Sequence, residues 1–178
     1  MKRIYRIFCG MTAVLLSIPL LTACGDTEKE KSSVTAGYTD RADNAAGNMF
    51  ATTLYQAAQS ALRDMDTDGI DLSLLSGDYR FRYSDFSSVS VPQTILTESD
   101  ALAKLRSVML IYVDQMTVFD QAMISVKDGV CTAVAVQTES ETDPDTGEET
   151  KVFGCYPNAL QSGHDYNKLE DVLAHAKG

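Results

Sequence analysis

Four carboxylates, Asp64, Asp66, Asp68 and Asp71, fall within eight residues around Gly69. Alternate acidic side chains on a chain that turns at a glycine can converge on a hard cation such as Ca2+, which takes about six to eight oxygens. Without a cation the four repel one another. Cys24 is the second residue with chemistry to offer. Its thiol follows Leu21-Thr22-Ala23 at the close of a charge-free apolar run. No catalytic residue can be assigned elsewhere. The only histidines are His164 and His175, and His175 with Asp171 reads as a solvated i, i+4 helix pair. The chain has no G-x-S-x-G, no H-E-x-x-H and no phosphate-cradling glycine loop. A non-enzymatic protein is the expectation.

The acidic run resembles the first half of an EF-hand calcium loop, D-x-D-x-D-G, from Asp64 to Gly69. Its second half departs from that pattern: Leu75 stands where a bidentate glutamate belongs, and Asp71 where an aliphatic residue belongs. The plainer alternative is a helix end with Gly69 just beyond it and solvated acids. Asp64 and Asp66 would then lie at the negative end of the helix dipole, an unfavourable place that gives the cation reading its motive. A loop completed by Ser73, Ser76 or Asp78 would bind weakly, with a dissociation constant no tighter than about 10⁻⁴ to 10⁻³ M.

Lys2, Arg3 and Arg6 precede the apolar run from Ile7 to Leu21, and Leu21-Thr22-Ala23-Cys24 closes it. This resembles the lipobox signal of bacterial lipoproteins. The resemblance implies that Cys24 is alkylated by a diacylglycerol, that residues 1–23 are removed, and that the new amino terminus can be acylated, for instance with palmitate. It places the protein outside the cytoplasm, lipid-anchored to the bacterial cell membrane. A membrane-spanning helix fits less well, since it wants about 20 apolar residues and this run is shorter and contains Pro19. An ordinary secretory signal would show an A-x-A-like site, and Leu21 stands two residues before Ala23.

Of 178 residues with a net charge of −10, removal of 1–23 leaves 155, with 12 Lys plus Arg against 25 Asp plus Glu, a net −13. Such a surface argues against nucleic-acid partners and against electrostatic attachment to anionic lipid. Residues 24–39, polar and alternating in charge, read as the lipidated cysteine and a flexible linker. Residues 40–178 read as a single globular domain.

Those elements follow from periodicity. Apolar residues from about Ala42 to Met65 recur every three or four positions and predict a core helix, alanine-rich on its buried stripe. Tyr79-Arg80-Phe81-Arg82-Tyr83 alternates as a half-buried strand whose arginines meet surface carboxylates. Thr97-Glu98-Ser99-Asp100 forms a capping box that opens a second helix from about 98 to 115. Gln121 to Val126 and Val130 to Val136 flank Asp128-Gly129, a type I′ hairpin that sets Val126 opposite Cys131 and Ile124 opposite Ala133. A second hairpin pairs Val130–Glu141 with Thr150–Tyr156 through a loop at Pro144 to Gly147, with Asp143 facing Glu148 and Val136 facing Cys155. In that register Cys131 lies opposite about Leu160, an offset of about 16 Å from Cys155 on the other sheet face, so both thiols are expected to be unbridged. A short helix from about Asp165 to Ala176 should cover an end or edge of the sheet. The fold class is α+β: a long amphipathic helix on a three-stranded antiparallel meander, with a second helix and a short C-terminal helix.

A lone helix, a variable loop segment and a meander carrying Val126-Lys127-Asp128-Gly129 and Gly154-Cys155-Tyr156-Pro157-Asn158 looks like the globular heads of type IV pilin-like proteins from Gram-positive gut bacteria. Over Asp40 to Asn158 the resemblance implies a pilin-like head. The prepilin cleavage site and long apolar helix of pilins are replaced by the lipobox and a polar linker, so it does not imply that the chain builds a filament. Two functions stand open: a structural or adhesive surface protein that meets a protein or the cell wall, or a lipoprotein that binds a small ligand or calcium. Because alkylation needs the thiol, Cys24→Ala should move the protein from the detergent phase to the aqueous phase or leave it uncleaved. Equal partitioning of the two processed forms would contradict the lipobox.

Overall fold

The computed structural model describes residues 28–86, 91–113, 119–138, 141–142, 149–161 and 166–178. The signal segment with Cys24, the acidic loop of 143–148 and His164 lie outside the described residues.

The first helix, α1, runs Glu28–Thr67, 40 residues without interruption. Ala51, Leu54, Ala58, Ala61, Leu62 and Met65 are buried along it at the expected spacing. The stretch read as a flexible linker is corrected here, because from Glu28 onward it is helical. Nothing about packing is needed to explain this. It contains no proline, and a helix nucleated by its buried half propagates at one backbone hydrogen bond per added residue.

A four-stranded antiparallel sheet lies against α1, in the order β1 (Gly77–Arg82), β2 (Phe119–Lys127), β3 (Val130–Thr138), β6 (Phe153–Tyr156). The expected meander had only the last three. The added strand is the Tyr79 to Arg82 alternation, which pairs along β2 from Gly77↔Val126 to Arg82↔Gln121. Tyr79 and Phe81 are buried and Arg80 and Arg82 exposed, as the alternation requires. Tyr83 instead leaves the strand into a 3-10 turn, 49% exposed, with its ring edge-on to Phe119. Short strands β4 (Glu141–Thr142) and β5 (Glu149–Thr150) form a separate ladder.

Asp128 and Gly129 have φ of 52° and 75°, the left-handed pair of a type I′ turn, and Val126 faces Cys131 as expected. Beyond it the register departs. Ser125 pairs with Ala133 and Ile124 with Val134, because Thr132 is an extra residue on β3. A compensating extra residue, Asp120, sits on β2 between the pairs Phe119↔Thr138 and Gln121↔Gln137. The second hairpin is shifted too. Glu141↔Thr150 keeps the expected register, but Val136 faces Gly154 and Ala135 faces Cys155, one residue out. The slip falls between the ladder bond from Thr138 N–H to the Val152 carbonyl (2.9 Å) and the β4–β5 pairs.

One sheet face carries Ile124, Val126, Cys131, Val134 and Val136 and is covered by α1 and by α2 (Glu98–Val113). The capping box of α2 is formed: Thr97 Oγ1 accepts from Asp100 N–H (3.2 Å) and Asp100 Oδ2 from Thr97 N–H (3.2 Å). Met123, Ala133, Ala135 and Cys155 face the other way, under α3 (Leu169–Lys177). The C-terminal helix thus covers a full face and not an end or edge. Lys177 Nζ donates to Asp78 at 2.6 Å and Arg80 donates to Glu170, so α3 is tied at two points to β1. Burial pushes the Asp78 carboxyl up, but the Lys177 ammonium and the Ser125 hydroxyl outweigh it and leave it below the usual carboxylate range.

A close backbone contact joins α1 to β6. A Cβ on Gly154 would stand 1.9 Å from the Gly47 carbonyl carbon, and one on Gly47 would stand 2.4 Å from the Phe153 oxygen. Beside that crossing, Asn48 Oδ1 accepts from Cys155 N–H (3.0 Å) and Leu160 N–H (3.1 Å), while its Nδ2 donates to the Leu160 carbonyl (2.9 Å). Neither backbone can yield to a methyl group, so Gly154→Ala should cost about 3 kcal/mol, at the upper end of overpacking penalties. Gly77→Ala is the control, since its nearest neighbour would be the Tyr79 ring at 3.7 Å. Urea unfolding should separate the two; equal midpoints would contradict the backbone contact.

Candidate functional site

The acidic run closes α1. Ile70 N–H donates to the Met65 carbonyl (3.0 Å) and Gly69 N–H to the Asp66 carbonyl (2.9 Å), with Gly69 at φ 77°. These are the two bonds of a Schellman cap, the plainer of the two expectations for this stretch. Gly69 supplies the left-handed residue, and Ile70 folds back against the core.

Three of the four carboxylates take separate partners. Asp64 Oδ2 accepts from the Tyr112 hydroxyl at 2.5 Å, and Asp68 Oδ2 lies 3.3 Å from Lys104 Nζ; both donors belong to α2. Asp71 caps the 3-10 turn Leu72–Leu74, accepting from Ser73 N–H at 2.9 Å; the Ser73 hydroxyl, and after it that N–H, hold its carboxyl below the ordinary value. The bond to Asp64 raises the Tyr112 phenol in turn. Asp66 is exposed. Thus Asp64 and Asp68 meet α2 and Asp71 meets its own turn, and the four are not brought onto one point. Among the described residues no group of three or more His, Cys, Asp or Glu is arranged to hold a metal ion.

Tyr112 and Lys104 were not legible as partners of this turn. Tyr112 belongs by spacing to the apolar stripe of α2, yet 43% of it is exposed and its hydroxyl reaches across to α1. A usable signal did exist: carboxylates at a helix carboxyl end need a donor, and α2 holds a lysine and a tyrosine eight residues apart, about two turns.

Cys131 and Cys155 are buried and unbridged. Burial pushes the Cys131 thiol up to about 12 and the Cys155 thiol up to about 11, so neither is a thiolate nucleophile near neutral pH. The Cys155 thiol donates to the Asn158 carbonyl (2.8 Å). The His175 ring lies 5.7 Å from that of Tyr166. At the carboxyl end of α2, Leu110, Ile111 and Tyr112 form an exposed run with Ile111 at 73%.

Comparison with protein-family models, with curated proteins and with solved structures finds no match.

The partners taken by Asp64, Asp68 and Asp71 set the expectation for calcium. Titration calorimetry of the soluble domain against an Asp66→Ala, Asp68→Ala variant should give equal, near-zero heats up to millimolar calcium. A parent-only heat with a rise in melting temperature would instead establish the loop as a weak cation site.

Proposed function

We propose that this chain is a non-enzymatic, lipid-anchored cell-surface protein whose pilin-like head serves a structural or adhesive role. The observation that carries the reading is α1. One half is buried from Gly47 to Met65 against the sheet, and the other continues as helix to Glu28, four residues after Cys24. A head borne on a helix that leads back to an alkylatable cysteine suits presentation of a surface. The absence of catalytic pattern in the sequence, the raised pKa of both buried thiols and the structural use of three turn carboxylates support the same reading. The exposed Leu110, Ile111 and Tyr112 are available to a protein or cell-wall partner. The alternative, an extracytoplasmic lipoprotein that binds calcium or a small ligand, would for calcium require Asp64, Asp66, Asp68 and Asp71 to converge, whereas three of them now meet separate partners.

Protease added to spheroplasts of the producing bacterium tests the location. The head should be digested while a cytoplasmic marker survives. A head protected until the cells are lysed would contradict the proposal.

A further inference from the structure

We infer that the amino-terminal half of α1 is a rigid strut that holds the head at a set height above the membrane; this rests on the lipid-anchor reading of Cys24. The backbone of Gly47 in α1 meets that of Gly154 in β6. The 19 residues from Glu28 to Ala46 precede that contact as helix, a length of about 28 Å at 1.5 Å per residue. The whole helix is about 60 Å long, far more than the roughly 35 Å breadth of a head of this size, so it must project.

A flexible chain of the same length would have a root-mean-square span of about 24 Å. The two tethers therefore differ little in mean reach. They differ in spread, because a coil lets the head collapse back along its own tether, whereas a helix fixes the distance between the two ends of the strut. Charge gives this consequence. Residues 28–46 hold 3 Lys plus Arg against 4 Asp plus Glu, a net −1, whereas residues 47–178 hold 9 against 20, a net −11. An anionic bilayer repels such a head only within a Debye length of about 8 Å at physiological salt. A strut of about 28 Å places the head outside that field. Gly37 is the weakest link in the strut, being the poorest helix former there, and it lies ten residues before the Gly47 contact.

Spin labels at Lys31→Cys and Gln56→Cys in the full processed lipoprotein test the strut by dipolar distance measurement. Cys24 is acylated and Cys131 and Cys155 are buried, so labelling is selective. The 25-residue separation predicts a narrow distribution centred at about 37 Å. Gly37→Pro should broaden and shorten it while leaving the melting temperature of the head unchanged. Energy transfer from a dye at position 56 to acceptor headgroups in phosphatidylcholine vesicles should rise in the same variant. A broad distribution in the parent, equal to that of Gly37→Pro, would overturn the strut while vesicle binding left the anchor standing. A narrow distribution in a chain that does not partition into vesicles would overturn the height above the membrane together with the anchor, leaving only a rigid helix.

Discussion

Two glycines meeting backbone to backbone determine how the molecule is assembled. Gly47 on α1 and Gly154 on β6 approach so closely that no side chain fits at either position. A helix normally stands about 10 Å from a sheet, separated by its side chains, and here that layer is missing at one point. The approach brings Asn48 within reach of the outer edge of β6, where one carboxamide satisfies Cys155 N–H, Leu160 N–H and the Leu160 carbonyl. An edge strand with open backbone groups invites pairing with another chain. In this protein the last strand is closed by a helix side chain.

The same crossing divides α1 into two parts with different sources of stability. From Ala51 onward its apolar stripe is removed from water against β3, β6 and α2, and the alanines allow close approach. Before Gly47, backbone hydrogen bonds propagated from the buried half extend the helix. The opposite end is finished by a Schellman cap, and the carboxylates that crowd it are met by Tyr112 and Lys104 of α2. An electrostatic cost at a helix terminus thus becomes a link between two helices.

Most of the secondary structure was legible because its signals are local. The period of α1, the Thr97 capping box, the Asp128-Gly129 turn and the Tyr79-Phe81 alternation each act over a few residues, and each element is present. Register was less legible, since it depends on single-residue irregularities. The bulge at Thr132 and the slip beyond Thr138 each move side chains from one face to the other. Their effects oppose one another for the two cysteines. The slip alone would bring Cys131 and Cys155 to the same face, and the bulge returns Cys131 to the α1 side. The unbridged thiols were thus expected correctly, while the register behind that expectation was not. The extent of α1 was misread because polar composition speaks to packing and says little about a helix extended from its own buried half. At the acidic turn, spacing identified a cluster of carboxylates, but their partners lie on α2, some forty residues on, where local pattern has no reach.

Amide hydrogen exchange along α1 tests the central claim that one helix is pinned at Gly47 and projects beyond it. The account predicts a step: protection near that of the sheet core from Ala51 to Met65, and intermediate, measurable protection from about Val34 to Ala46. Exchange at random-coil rates before Gly47 would contradict a continuous helix. Core-level protection extending back to Val34 would contradict a projecting one.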